Sequence, residues 1–237
     1  MRDQVTELTV VRHGQSVANV AFAAAQFSGQ LDCGVSGPDA AVELSPLGWT
    51  QAEALGRWLA DLPLIRRPQV VVCSPYLRAQ QTLKRATDTA GDLGVQVPKA
   101  NMDTRLCDRV MGELELLTTS MIAKRFPAEV ARRRNAGEFT YRPPGGESFS
   151  DIAVRLEGLM RDLQTRYAGR RVLLVAHDAI VLMLRYVIER LTFDDLATII
   201  RDGPVANASL TRFDGSSGRL QLVQYNAVDH LSDGTAG

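Results

Sequence analysis

The pair Arg12-His13 follows a short apolar run at residues 8–11 and precedes Gly14. In open α/β sheets, ligands bind just beyond the carboxyl ends of the strands, which is where this pair would stand. A histidine there can act as a nucleophile, and an arginine binds a phosphate or carboxylate through two parallel hydrogen bonds. On its own the pair proves little, because a histidine at a strand end more often belongs to a turn than to a catalytic site.

Two further strand ends carry polar residues that could meet His13. Arg78 falls in the first turn of a predicted helix after the strand at residues 70–73, where its charge opposes the helix dipole. A bound phosphate would explain this position, and a plain surface arginine would explain it equally well. His177 ends the strongest apolar run and lies at the same edge as His13 if the sheet is parallel there. The third histidine, His230, lies in a polar tail.

Two histidines and two arginines at one sheet edge suit phosphoryl transfer through a phosphohistidine. One imidazole nitrogen attacks phosphorus in line, while the arginines and the second histidine stabilise the charge on the equatorial oxygens. A carboxylic acid protonates the leaving oxygen and later takes a proton from water. Guanidinium groups can supply the positive charge, and the sequence holds no Walker-type loop or metal-binding cluster. We therefore expect neither a metal ion nor a cofactor.

Strand-like runs alternate with helical stretches along the chain, which predicts an α/β fold. The expected architecture is a three-layer sandwich, with a mostly parallel central sheet flanked by helices, plus a helical cap insertion. Ser45-Pro46 and Ser74-Pro75 each combine an N-cap serine with a proline at the first helical position, and Ser148 caps a further helix. Two late apolar runs are typical of edge or antiparallel strands.

Two regions break this alternation. Residues 28–43 form a long loop, and loops of this length in compact domains are often functional, so Ser28 and Gly29 at its start are candidate substrate-binding residues. Residues 108–144 are interpreted as a cap-like insertion over one edge of the sheet. The tail from about residue 229 is polar, which is typical of a poorly ordered terminus.

Length and composition limit the classes of protein. The 237 residues are enough for one domain with a sizeable core, and a single domain over residues 1–237 is predicted. Lys plus Arg and Asp plus Glu both total 27, and the resulting zero net charge argues against nucleic acid or an anionic membrane as the main partner. No signal peptide or bilayer-spanning run is found, and three cysteines without metal-ligand spacing fit a reducing cytoplasm.

Four motifs in order make the chain resemble the histidine phosphatase superfamily, the phosphoglycerate mutase-like proteins of branch 1. Residues 12–19 are similar to the family's Arg-His-Gly-Glu-Ser-x-x-Asn signature, with Gln15 in place of the glutamate. Residues 44–52 resemble its Leu-Ser-x-x-Gly-x-x-Gln-Ala helix start, and residues 74–82 resemble its second phosphate-binding motif. Residues 175–177 match its second histidine. The resemblance covers most of the chain and implies the family's fold.

The resemblance also implies a role for each matched residue. His13 would be the phosphorylated nucleophile. The phosphate pocket around it would consist of Arg12, Asn19, Arg78 and His177. The family's proton donor is a glutamate in a Leu-x-Glu-x-x-x-Gly-x-x-Glu segment, and Asp108 takes that position here. Asp178 is a rival, because the acid phosphatase branch uses an aspartate directly after the second histidine, and Glu113 is a third candidate.

Part of the chain is most similar to the fructose-2,6-bisphosphatase domain. Residues 141–151 resemble its Tyr-Pro-x-Gly-Glu-Ser-Tyr-x-Asp stretch. The next motif departs from it, because that domain has a glutamine directly after the second histidine and an arginine four positions later. This chain has Asp178 and Leu182 at those positions, which argues against the substrate of that domain.

Residues and resemblance together predict a phosphatase that acts on a small phosphorylated metabolite. The mutases carry a Gly-Leu-x-Gly-Leu pattern after the acid, whereas residues 112–116 here read Gly-Glu-Leu-Glu-Leu, closer to the hydrolases. A phosphomutase is the alternative, and a non-catalytic module that binds a phosphorylated ligand is a third. Arg132 and Arg133 are candidates to bind a second anionic group, or they form a solvated helix face. The oligomeric state stays open, with a homodimer as one alternative.

Overall fold

A six-stranded sheet lies at the centre of residues 4–234, which the computed structural model describes. Strands and helices alternate along the chain as the sequence predicts. In chain order the elements are β1 (Glu7–Arg12), α1 (Val17–Ser28), α2 (Pro46–Asp61), β2 (Val70–Cys73), α3 (Leu77–Asp92), β3 (Ala100–Met102), α4 (Thr119–Arg125), α5 (Pro127–Ala136), α6 (Phe149–Arg166), β4 (Arg171–Ala176), α7 (Asp178–Glu189), α8 (Phe193–Arg201), β5 (Leu210–Asp214) and β6 (Gln221–Ala227).

The strands lie in the order β3-β2-β4-β1-β5-β6. Strands β1 to β4 run parallel to one another, whereas β5 and β6 are antiparallel to their neighbours. Arg12 ends β1 directly opposite Ala176, which ends β4. The residues that follow these strands therefore meet at one edge of the sheet, as predicted for His13 and His177.

Two hydrophobic layers form because side chains alternate between the two faces of the sheet. Along β4, Val172 and Leu174 belong to one layer, and Leu173 and Val175 belong to the other. The first layer packs against α6 and α7, and the second packs against α2 and α3. All four strand residues are buried, as is typical of parallel strands covered on both faces. The predicted three-layer α/β sandwich with a mostly parallel sheet is confirmed.

Serine side chains begin two of the helices that flank the sheet, as predicted. Ser45 caps α2, and Ser148 caps α6 in a reciprocal capping box. The same prediction is wrong for Ser74, because α3 begins only at Leu77 and has no side-chain cap. The Ser74 hydroxyl bonds instead to His177 across the sheet edge.

The region predicted as a cap insertion, residues 108–144, connects β3 to α6 and contains the short helices α4 and α5. The predicted polar tail begins with the 3₁₀ helix Asp229–Gly234, which packs against α2, and its end at residues 235–237 lies outside the described residues. Among residues 4–234, no helix is long and apolar enough to cross a membrane.

Candidate active site

His13, the candidate nucleophile, is buried directly after the end of β1. Nδ1 lies 2.7 Å from the carbonyl oxygen of Gly14, which assigns the ring proton to Nδ1 and leaves the lone pair on Nε2. Burial holds the pKa of this ring well below its usual value of 6.5, and the charges of His177, Arg78 and Arg12 lower it further. The imidazole is therefore neutral at physiological pH, as an attacking nitrogen must be.

The turn that presents His13 is fixed by close contact with the start of α2. Ser45 N donates to the carbonyl oxygen of Gln15 at 2.8 Å, and the Ser45 hydroxyl donates to the Gln15 amide oxygen at 2.7 Å. A Cβ on Gly14 would lie only 2.6 Å from the carbonyl oxygen of Gly48, and a Cβ on Gly48 would overlap the carbonyl of Gln15. Only glycine fits at both positions, so the two segments pack backbone against backbone.

Arg78 extends from the first turn of α3 into the same buried space. There, all five of its N–H groups donate hydrogen bonds to other protein atoms. Nε donates to His13 Nε2 at 3.2 Å. Both terminal nitrogens pair with the Asp39 carboxylate at 3.0 Å, and Nη1 also donates to the Asp39 carbonyl oxygen. Nη2 makes its second bond to Asp108 Oδ2 at 3.0 Å. The end of the guanidinium thus faces Asp39, and its side edge faces His13 and Asp108.

His177 lies at the N-terminus of α7 with its ring centroid 5.1 Å from that of His13. Its Nε2 forms a hydrogen bond of 2.8 Å with the Ser74 hydroxyl. Its Nδ1 is buried with no hydrogen-bond partner in the described part of the chain, and it lies 3.5 Å from Asp108 Oδ2. Burial lowers the pKa of this ring well below 6.5, and the charge of Arg78 adds to the effect. A buried polar atom without a partner is rare, and this one lies beside the nucleophile.

Arg12 and Asn19 complete the polar surroundings of the nucleophile. Arg12 is buried, with Nη1 donating to the carbonyl oxygen of Val205 and Nη2 lying 3.6 Å from Asp178 Oδ2. Its Nε is a second buried atom without a hydrogen-bond partner. The Asn19 amide oxygen accepts a backbone N–H at 3.0 Å and closes the capping box of α1.

Four of these side chains, namely Arg12, His13, Asn19 and Arg78, line a cavity of about 290 Å³, which we name the His13 pocket. His177 lies next to His13 but is not part of the lining. The polar lining of the pocket comprises Arg12, His13, Ser16, Asn19, Asp39, Arg78, Asp108, Arg109, Glu115 and Asp178. Positive charge beside the nucleophile comes from guanidinium groups. In the described part of the chain, no group of three or more His, Cys, Asp or Glu side chains is placed to hold a metal ion.

The three candidate acids differ in their distance from the two histidines. Asp108 Oδ2 lies 3.0 Å from Arg78 Nη2 and 3.5 Å from His177 Nδ1. Asp178 is 45% exposed, and its carboxylate accepts a backbone N–H at the start of α7. Glu113 is exposed and does not line the pocket. The geometry favours Asp108.

Arg155 of α6 holds the irregular segment that carries Asp108. Its guanidinium donates to the carbonyl oxygens of Cys107 at 2.9 Å and of Asp108 at 3.3 Å. Glu147 pairs with Arg155 at 3.0 Å and also accepts from Val110 N at 3.2 Å. The segment around Asp108 belongs to no helix or strand, and the side chains of this ion pair bond to its backbone. The ion pair therefore fixes the position of Asp108, the candidate acid.

All four predicted substrate-binding residues lie outside the His13 pocket, namely Ser28, Gly29, Arg132 and Arg133. The first two end α1, where the serine hydroxyl bonds to a carbonyl of its own helix and the glycine adopts a positive φ of 68° as the C-cap. Both arginines belong to α5 and form ion pairs, with Glu129 at 2.7 Å and with Glu138 at 2.6 Å. All four therefore have local partners and are not brought to the nucleophile.

Three residues that shape the site were missed in the sequence. Asp39 lies in the long loop of residues 28–43, whose length was the signal for a functional role. Glu147 belongs to the stretch of residues 141–151 that carries a resemblance, which was the signal for it. Arg155 has no sequence signal, because only the fold shows that a polar position on α6 faces the acid-bearing segment.

Comparisons with known proteins agree with this geometry. A profile of the histidine phosphatase superfamily (branch 1) matches residues 8–228. The chain is 33% identical over 243 aligned positions to the glucosyl-3-phosphoglycerate phosphatase of Mycobacterium tuberculosis, covering 95% of this chain and 96% of the relative. It is 30% identical over 213 positions to the 2,3-bisphosphoglycerate-dependent phosphoglycerate mutase of Rhizobium etli, with 88% and 91% covered.

A solved structure gives the same assignment. Mycobacterial glucosyl-3-phosphoglycerate phosphatase in complex with VO3 matches with a TM-score of 0.71 and 29% identity, covering 94% of this chain and 100% of that chain. The relatives therefore include a phosphatase and a mutase. With two buried histidines and two arginines at the carboxyl edge of a matching sheet, and with a profile that spans nearly its whole length, the chain belongs to branch 1 of the histidine phosphatase superfamily.

Proposed function

We propose that this protein is a phosphatase that hydrolyses a small phosphomonoester through a phosphohistidine on His13. The observation that carries the proposal is the state of that residue, a buried neutral imidazole whose Nε2 lone pair faces the side edge of Arg78. Two buried nitrogens beside it, Arg12 Nε and His177 Nδ1, have no hydrogen-bond partner among residues 4–234. Phosphate oxygens are strong acceptors that suit both nitrogens.

The first half-reaction transfers the phosphoryl group to the protein. His13 Nε2 attacks phosphorus while the ester P–O bond breaks on the opposite side. Arg12, Arg78 and His177 stabilise the charge on the equatorial oxygens. Asp108, in its acid form, gives its proton to the departing oxygen, which leaves as an alcohol.

The second half-reaction returns the protein to its starting state. Asp108, now a carboxylate, removes a proton from a water molecule as the water oxygen attacks phosphorus. The P–N bond to His13 breaks, and inorganic phosphate leaves. The electron pair returns to Nε2, so the imidazole is neutral again and the acid is reloaded.

A phosphomutase is the second candidate, because a relative of 30% identity is a phosphoglycerate mutase. The segment at residues 112–116 supports hydrolysis instead, because it lacks the mutase pattern Gly-Leu-x-Gly-Leu. A non-catalytic binding module is disfavoured by the intact set of two histidines and two arginines. The resemblance to the fructose-2,6-bisphosphatase domain, the cytoplasmic location and a homodimer stay predictions, which substrate screening, cell fractionation and sedimentation can check.

Rapid-quench labelling with a ³²P-labelled aryl phosphate tests the proposal. A phosphatase of this kind carries a label that is acid-labile and alkali-stable, maps to His13, and passes to water as inorganic phosphate. His13→Ala abolishes both label and hydrolysis, whereas His230→Ala, which removes the remote third histidine, retains both. Transfer of the label to added 3-phosphoglycerate in preference to water would establish the mutase instead. Equal hydrolysis by His13→Ala and the unmodified protein would defeat the phosphohistidine mechanism.

A further inference from the structure

The charges that line the His13 pocket do not suit a second anionic group on the substrate. Three arginines line it, namely Arg12, Arg78 and Arg109. Four carboxylates line it as well, namely Asp39, Asp108, Glu115 and Asp178. With Asp108 holding the proton that it gives to the leaving oxygen, three of these four groups are charged, so a phosphate dianion enters a lining whose guanidinium and carboxylate charges balance.

Each of these arginines is already engaged. Arg12 lies 3.6 Å from Asp178, and Arg78 pairs with two carboxylates at 3.0 Å. The phosphate itself takes Arg12 Nε and the side edge of Arg78. Arg109 points its guanidinium at the cap region, where it donates to the carbonyl oxygens of Glu147 at 2.9 Å and Tyr141 at 3.0 Å. No arginine of the lining is left for a carboxylate or a second phosphate on the substrate.

Glu115 adds a further obstacle to a second anion. It is partly buried in the pocket lining, and none of the ion pairs found within residues 4–234 includes it. Burial raises the pKa of this carboxyl, and the neighbouring Asp39 and Asp108 raise it further against the opposing charge of Arg78. A negative group placed beside this cluster of carboxylates would be repelled.

Part of the pocket lining is apolar. The large apolar residues of the lining are Phe22 of α1 and, from the segment after Asp108, Met111, Leu114, Leu116 and Leu117. Such side chains gain free energy when they pack against an apolar group, and they offer no partner to a charged one.

We propose that the substrate is a phosphomonoester whose alcohol portion carries no second negative charge and packs an apolar group against Phe22 and Leu117. The inference rests on the proposed phosphatase activity. It distinguishes this chain from the mycobacterial relative, whose name specifies a phosphoglycerate derivative.

Two matched pairs of substrates test the charge. Phenyl phosphate is compared with 4-carboxyphenyl phosphate, and glycerol 3-phosphate with 3-phosphoglycerate, so each pair differs by one carboxylate. We expect kcat/KM to be about tenfold higher for the member without the carboxylate, the effect of one like charge at short range in a partly desolvated site. Phenyl phosphate should also exceed glycerol 3-phosphate by about tenfold, and Phe22→Ala should remove most of that preference.

Glu115→Gln tests the residue assigned to the discrimination. It should reduce the preference within each pair from about tenfold to about threefold, because one of the repelling carboxyls becomes a neutral amide. Glu113→Gln, two positions away on an exposed side chain, is the matched control and should keep the full preference.

The outcomes separate the two proposals. Equal or faster hydrolysis of the carboxylated members by the unmodified protein overturns this inference while leaving the phosphatase intact. The same preference in Glu115→Gln as in Glu113→Gln removes the assignment to Glu115. Failure to release phosphate from all four esters, together with no label on His13, would instead overturn the phosphatase itself.

Discussion

Asp108 is one methylene shorter than the glutamate that the family resemblance implies at this position, and two hydrogen bonds hold its carboxyl in the His13 pocket. Its Oδ2 accepts from Arg78 Nη2 at 3.0 Å, and its Oδ1 accepts from Arg109 N at 2.8 Å. In the resting protein Arg78 therefore holds the Asp108 carboxyl close to His177.

If Asp108 protonates the leaving oxygen, the rate lost in Asp108→Asn should depend on how stable the leaving group is as an anion. We expect kcat for phenyl phosphate to fall about 100-fold or more, because the phenolate must leave without a proton. The loss should be much smaller for a nitrophenyl ester, whose leaving group is stable as an anion. Asp178→Asn should change either rate less than about threefold. If instead the loss of kcat depends on the leaving group in Asp178→Asn and not in Asp108→Asn, Asp178 is the proton donor.

The sequence predicts the residues of the site that stand at strand ends and misses those that reach it through the fold. His13 and His177 follow apolar runs, so their common edge follows from a parallel sheet. The carboxylate of Asp39 meets an arginine 39 positions away in the sequence. No local pattern specifies such a contact, because it depends on how a long loop folds back over α3.

Among the elements, the start of α2 and the turn after β1 depend on each other. The absence of side chains on Gly14 and Gly48 lets the two backbones touch, and this contact sets the angle at which β1 presents His13. Two motifs that are separate in the sequence thus act as one structural unit.

Gly48→Ala should destabilise the protein by about 3 kcal/mol, because the new methyl group overlaps the carbonyl of Gln15 and the backbone must move. Urea unfolding followed by circular dichroism measures this. Gly91→Ala is the matched control, since a Cβ at that helical position meets nothing within 4 Å, and it should be neutral or stabilise by about 0.5 kcal/mol. Equal stability of the two variants would show that the close packing is unimportant.

Arg155 on α6 should affect catalysis by Asp108 without affecting phosphate binding, because it bonds to the backbone that carries Asp108. Arg155→Leu is expected to lower kcat for phenyl phosphate by at least about tenfold, since the segment carrying Asp108 loses its partners. The inhibition constant of inorganic phosphate should change less than about threefold, because His13 and its anion-binding neighbours stay in place. Arg161→Leu, an exposed arginine on the same helix, provides the control. A parallel loss of phosphate affinity would indicate a general structural role.

The correctly predicted elements have a clear sequence signal. Strand β4 contains a continuous apolar run, and α6 has a serine N-cap followed by an apolar stripe. Helix α1 was missed because it has no charged residue and exposes Val17, Val20 and Phe27, so its sequence shows no polar face. Strand β3 was missed because it has only three residues. Ser74-Pro75 has the sequence signal of a helix cap, but α3 begins three residues later at Leu77, and the Ser74 hydroxyl bonds to His177 and accepts from Tyr76 N instead.

For the whole molecule, the two buried histidines link stability to pH. Both have a pKa well below the usual 6.5 in the folded protein, chiefly because of burial, so the unfolded chain binds more protons in mildly acidic solution. The stability they contribute is fully present above about pH 7.5 and is lost as the pH falls through 6.5 towards the folded-state pKa values.

We expect the free energy of unfolding to fall by up to about 2 kcal/mol per histidine between about pH 7.5 and about pH 5. Urea titrations in phosphate-free buffer measure this. His177→Gln should remove roughly half of the loss, because the amide does not titrate. An unchanged pH dependence in that variant would mean that other groups cause it.

The saturated guanidinium of Arg78 has a consequence for the way a turnover begins. Since all five N–H groups are already bonded, a phosphate can reach the side edge only by taking the places of His13 Nε2 and Asp108 Oδ2. In the proposed mechanism this exchange would free the His13 Nε2 lone pair for attack and the Asp108 carboxyl for proton donation when the ester binds. Substrate binding would then itself activate the enzyme. Without substrate, His13 Nε2 and Asp108 Oδ2 both stay hydrogen-bonded to Arg78.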